Sequence, residues 1–213
     1  MLLQLRQGLS VLTEYLGAGR AGRRRTLADP ADLERFLDTR ASHIAQTTLY
    51  GYFRTRAGTR HAVLFDDDAF VVMLNRAKWQ MWLACLSDLA VYAGGLLALR
   101  SRAGPAAAGE LVGRLVDEIL ERTGTPDDSG PLFAEGAEAV RARLDRCDWS
   151  ALADDESAFT ASPDALVRHA PIMPELMALD EEIVRNSVRF TWQEVRRELR
   201  AKLDADAVLA HGD

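Results

Sequence analysis

Apolar residues recur along most of this chain at intervals of three and four, the period of a helix face. Leu2, Leu5, Leu9, Leu12 and Leu16 keep that spacing and predict one amphipathic helix at the N-terminus. Gly17 to Arg25 then reads as a basic connector. Asp29-Pro30 opens the next predicted helix, which runs to about Arg56 and stops near Gly58. Its inward positions are Leu33, Leu37, Ile44, Thr48 and Tyr52. Asp66, Asp67 and Asp68 read as the acid-rich, capped start of a third helix that continues to about Leu99. Further helices are expected over about Ala106–Thr123 and Leu132–Arg146, with a short one in "SPDALVRHAP" broken at Pro171 and Pro174. The last runs from about Glu175 to Leu203, with Val188, Trp192, Val195, Leu199 and Leu203 as its buried stripe. Alternating, β-branched runs closed by tight turns are lacking. The expectation is an all-α, single-domain bundle of about five to seven helices, two or three of them long. Residues 1–25 form the N-terminal helix and connector, and residues 26–213 form the bundle.

One stretch raises a choice of class. "WQMWLACLSDLAVYAGGLLAL", Trp79 to Leu99, approaches the roughly 20 apolar residues that span a bilayer. It also contains Gln80, Ser87 and Asp88, and an Asp near a span's centre costs about 2.5–3.5 kcal/mol. The helix begins upstream at the Asp cluster, so the apolar run is part of a longer element. A helix apolar nearly all round is what the centre of a bundle requires. The Gly94-Gly95 pair predicts a neighbour's close approach.

Composition agrees with a globular protein of ordinary size. The 213 residues are 48% hydrophobic and 27% charged, with a net charge of -6. That balance excludes a uniformly basic nucleic-acid binder and leaves room for a local cationic surface. Nearly every basic residue is Arg, which offers planar, bidentate hydrogen bonding to anions. Cys85 and Cys147 form no CxxC pair and fit a reducing cytoplasm. The first residues lack the layout of a secretory signal.

Local motifs for chemistry are few. Gly17, Gly19 and Gly22 make a GxGxxG pattern, but a leucine-striped helix precedes it where a dinucleotide fingerprint needs a strand. His43, His61, His169 and His211 have no acidic or histidine neighbour at helical spacing, so no metal site and no cofactor is implied. Neither a nucleophile elbow nor a local Cys–His pair occurs. Arg20, Arg23, Arg24 and Arg25 could meet an anionic membrane surface or a nucleic-acid backbone.

The segment with most character is Arg40 to His61. No carboxylate lies between Asp38 and Asp66. On a helix, Arg40, His43, Thr47, Tyr50 and Arg54 share one face and form a cationic, hydrogen-bonding stripe suited to an anion. The local alternative is that Asp66, Asp67 and Asp68 neutralise it.

Within that segment "TLYGYF", Thr48 to Phe53, resembles the end of the DNA-reading helix of TetR-type regulators. The resemblance covers six residues. It implies an all-α regulator with a helical ligand domain, in which Gln46, Thr47 and Tyr50 approach DNA while Thr48 and Phe53 pack. The pattern departs upstream: the family's Ile-Ala pair falls at Asp38-Thr39, and its glycines at His43 and Thr47.

The sequence therefore points first to a cytoplasmic, non-catalytic binding protein. Its cationic helix face would take a small anionic ligand or an acidic protein partner, and self-association is expected. One alternative is a TetR-like DNA-binding regulator. Another is an enzyme acting on a small anionic substrate in a helical cleft, with Arg40, His43 and Tyr50 joined by Asp88 or Tyr92.

Overall fold

The computed structural model describes residues 26–58 and 61–211, and the N-terminal leucine stripe and basic connector lie outside them. The described chain is an all-α bundle, with no strand among those residues. Its helices are α1 (Pro30–Ala57), α2 (His61–Leu64), α3 (Asp68–Arg100), α4 (Gly104–Thr123), α5 (Phe133–Asp145), α6 (Ala161–His169), α7 (Pro174–Lys202) and α8 (Ala205–Ala210). Three of them, α1, α3 and α7, are long.

The helix starts follow from local chemistry. The Asp29 side chain accepts from the Ala31 N–H at 2.7 Å, with Pro30 at the first position. Asp67 accepts from the N–H groups of Ala69 and Phe70 and caps α3, while Asp66 stays outside it. The boundary at the prolines follows expectation: α6 ends at His169, before Pro171, and α7 starts at Pro174, one residue ahead of the expected Glu175. Proline has no N–H to satisfy and its φ is already helical, so the position suits it.

α3 is the axle. It packs against α1, α4, α5 and α6, and α7 closes over α6 and α1. From Leu89 to Leu97 every α3 side chain is buried. By length and composition α3 could cross a bilayer, yet 83% of its most apolar window is buried inside the bundle. Protein, not lipid, consumes that apolar surface. The Gly94-Gly95 pair admits side chains where a neighbouring backbone was expected. The Trp149 ring lies across Gly94 of α3 and Gly109 of α4, and a Cβ at either glycine would overlap it. Leu152 packs in the same way on Gly95.

Expected core positions are met. Leu33, Leu37, Ile44 and Thr48 of α1 are buried, with Tyr52 half-buried. Val188, Trp192, Val195 and Leu199 are buried on α7, and Leu203 is half-buried. Asp88 sits within this core at 0% exposure. Its carboxylate accepts from Arg143 of α5 and from the first N–H groups of α6. That matches the expectation that Asp88 must find a core partner. A pair of backbone bonds ties the start of the described chain to the end of α7. The Leu27 N–H donates to the Lys202 carbonyl at 2.9 Å, and the Asp204 N–H to the Leu27 carbonyl at 3.0 Å.

Candidate functional site

The five stripe residues do share a side of α1, but the fold divides them. Arg40 Nη2 donates to Glu198 Oε1 of α7 at 2.8 Å, and Lys202 reaches the same oxygen at 2.6 Å. Burial raises the Glu198 carboxyl, and the two cations outweigh that and leave it below its ordinary value. The Arg40 guanidinium also lies over the Phe36 ring. His43 is half-buried beside Arg40, facing Glu194 and Glu198. Tyr50 is half-buried near the charge of Asp128; burial first, and that charge second, raise its phenol. Thr47 and Arg54 are exposed. The carboxylate that neutralises Arg40 thus comes from 158 positions downstream, not from the Asp66–Asp68 cluster.

The same geometry bears on the other two readings. α1 runs unbroken through Ala41–Thr47, so "TLYGYF" ends a single helix and not the second helix of a helix-turn-helix. Asp88 and Tyr92 do not join the stripe. Asp88 is taken up by Arg143 and α6, and the Tyr92 hydroxyl donates to Asp154 at 2.6 Å. Burial, then the Asp88 charge, push the Cys85 thiol well up, and the side chain is fully buried in the core.

A different site is assembled by segments far apart in sequence. A cleft of about 550 Å³ opens between the first half of α3, the turn before α5 and the end of α6. Met73, Arg76, Ala77 and Gln80 line it from consecutive turns of α3. Ser129, Pro131 and Leu132 line it from the turn. Arg168 and His169 line it from the last turn of α6, with the chain to Met173 beyond. Asp128 pins the turn to α3, accepting from Lys78 Nζ at 2.9 Å and Trp79 Nε1 at 2.6 Å. Gly130 has φ 74, and a Cβ there would press within 2.9 Å of the Arg76 side chain. Glycine is therefore required both by the backbone and by the arginine laid over it.

The cleft's chemistry is one-sided. Met73, Leu132 and Met173, all exposed, form an apolar mouth. Arg76 and Arg168 line it, no carboxylate does, and neither guanidinium forms an ion pair among the described residues. The Gln80 Nε2 is buried and has no hydrogen-bond acceptor. A buried amide donor left in that state costs about 1–3 kcal/mol. His169 is held below its ordinary value by burial and then by the adjacent Arg168, which favours the neutral ring. The arrangement can hold an anionic head between Arg76 and Arg168 and an apolar body against the mouth. A larger groove of about 680 Å³ along α4 has the opposite character, with Glu110, Asp117, Glu118, Glu121 and Asp145 among its lining.

No family model, curated protein or solved structure matches this chain.

Sequence reasoning placed the anion site on α1 and missed the cleft. Arg76 and Gln80 at i,i+4, with Met73 one turn earlier, were a readable face. Nothing in the local pattern tied that face to Arg168 and His169.

The two half-buried histidines give a pH prediction. His43 and His169 both lie below the model-peptide value of 6.5 in the folded chain, chiefly by burial. The unfolded chain therefore binds more protons, and stability rises with pH across that window. The contribution is complete above about pH 6.5 and is lost as the pH falls from there through the lower folded values. Melting temperature should drop between about pH 7.5 and pH 5, and His43→Gln with His169→Gln should flatten that slope. An identical slope in the double variant would show that other groups set it.

Proposed function

We propose that this chain is a non-catalytic, cytoplasmic binding protein whose cleft takes a small organic anion with an apolar body. The observation that carries this reading is the pair of unmatched guanidinium groups, Arg76 and Arg168, in a cleft with no carboxylate lining and an apolar mouth. The cleft's size lies in the range of small-molecule sites. Two free cysteines, one buried and one half-buried, suit a reducing compartment.

Decanoate and 1-decanol are suitable probes, because they share a tail and differ in the charged head. Calorimetric titration should show decanoate binding at least about tenfold more tightly, from one or two charge-assisted hydrogen bonds. Arg76→Gln and Arg168→Gln should each weaken decanoate at least about tenfold, with little effect on decanol. Both side chains are exposed at the mouth, so melting should be unchanged. Equal affinity for the two probes, or decanoate binding unaltered in both variants, would overturn the proposal.

A further inference from the structure

The outer face of α7 carries a second apolar line that the bundle does not use. Leu176, Ile183 and Phe190 stand seven residues apart, with Leu179 and Asn186 set between them, opposite the buried Val188 and Trp192. Leu179, Ile183 and Phe190 are 76%, 70% and 71% exposed. Single exposed apolar residues need no explanation, but a line of them about 21 Å long marks a surface made for contact. The spacing is that of the core positions of a coiled coil. Glu175, Glu182 and Arg189 therefore flank the line on one side, and Asp180, Ser187 and Glu194 on the other. A seam so narrow, with charge along both sides, suits another helix and not the wide apolar surface of a bilayer.

We propose that a second copy of this chain covers the seam, α7 against α7, parallel and in register about a two-fold axis. The first support is that the line is its own complement. In that register Leu176, Leu179, Ile183 and Phe190 each meet the same residue of the second copy. Asn186 meets Asn186, and each amide N–H can donate to the other's oxygen. A lone polar layer in an apolar seam fixes register in this way. Reversing one helix loses that match. When Leu179 meets Phe190 in an antiparallel pair, Asn186 falls on Ile183, and an amide buried against hydrocarbon opposes the pairing.

The second support is charge. In a parallel pair the residue just before Phe190 reaches the one five positions further on in the second helix, which sets Arg189 against Glu194. Both are exposed. Arg189 donates to Asn186 at 3.2 Å and forms no ion pair among the described residues. Glu194 has Arg197 of its own helix only at 3.9 Å. The two-fold axis makes the new pair twice. By the same rule Glu182 falls on Ser187, a neutral match. Glu175 falls on Asp180, the one match of like charge. Asp180 is already neutralised within its own chain, by Arg56 at 2.5 Å and by the Tyr52 hydroxyl at 3.1 Å.

Sedimentation of the full chain over about 1–100 μM, the range in which a small interface assembles, should show a monomer–dimer equilibrium. Ile183→Asp/Phe190→Asp should be monomeric throughout. Both side chains are exposed, so the bundle should keep its circular dichroism. Arg189→Glu turns two attractions into two repulsions and should weaken the dimer about tenfold, and Arg189→Glu/Glu194→Arg should restore it. Leu179→Cys should close to a disulfide-linked dimer on mild oxidation. In the antiparallel pair its two sulfurs would stand about 16 Å apart along the axis, too far to bond. The wild type, with Cys85 buried and Cys147 half-buried, should not cross-link. A chain monomeric at every concentration would overturn the proposal. So would a dimer that survives Ile183→Asp/Phe190→Asp, a charge reversal without rescue, or a dimer in which Leu179→Cys fails to close.

Discussion

Replacing Asp88 by Ala should lower the stability of the fold by about 3–5 kcal/mol, the range for breaking a buried charge pair from one side. Asp88 Oδ1 accepts from Arg143 Nη1 at 2.7 Å, the Thr160 N–H at 3.2 Å and the Ala161 N–H at 2.9 Å. Oδ2 accepts from the Ser162 N–H at 2.7 Å and its hydroxyl at 2.6 Å. α6 has no cap from its own N-cap residue, Thr160. The carboxylate of α3 does that work from another helix, and its charge suits the positive end of the α6 dipole. Alanine strands three backbone donors together and takes the carboxylate from Arg143, which keeps Ser87, the Ala158 carbonyl and Thr160. At about 2–4 °C per kcal/mol for a chain of this size, melting should fall by about 6–20 °C. Asp88→Asn keeps the shape and loses the charge and one acceptor oxygen, so it should fall between wild type and alanine. An alanine variant that melts within about 2 °C of wild type would show that water replaces the carboxylate at little cost.

Trp192→Ala should cost a similar amount, about 3–5 kcal/mol, by opening a cavity where α7 meets α6. The ring is fully buried, its centroid is 4.7 Å from that of Phe159, and Nε1 donates to the Ser162 hydroxyl at 3.0 Å. Ser162 passes its own hydrogen to Asp88, so the indole and the carboxylate act on one hydroxyl. Trp192→Phe keeps most of the packing and removes the donor, which should cost about 1 kcal/mol for the hydrogen bond alone. Because both residues meet at Ser162, the double variant Asp88→Asn/Trp192→Phe should depart from additivity by more than about 0.5 kcal/mol. Denaturant titration of the four chains measures this. Additive losses would mean that the two contacts are independent and that Ser162 transmits nothing between them.

Helices were legible in the sequence because helical order is local. The caps at Asp29 and Asp67, the spacing from Leu33 to Thr48 and the stripe from Val188 to Leu199 each lie within one element, so neighbours in sequence carry the whole signal. α2 and α8 escaped notice because four and six residues are too few to display a period. The burial of α3 was legible for a related reason. A helix apolar on every side and interrupted by one Asp needs protein around it.

What those surfaces do was decided by tertiary structure. On α1 the run without carboxylates suggested an open anion site, yet Glu198 lies across the helix pair from Arg40. The partner of Asp88 is Arg143, 55 positions away, and the cleft joins Arg76 to Arg168. Gly94 makes room for an indole ring from a distant turn. Side-chain periodicity reports which face of an element is apolar, because the helix itself fixes that geometry. It carries no information on which distant charge meets that face, because Coulomb pairing and cleft shape depend on distances that only the packed chain sets.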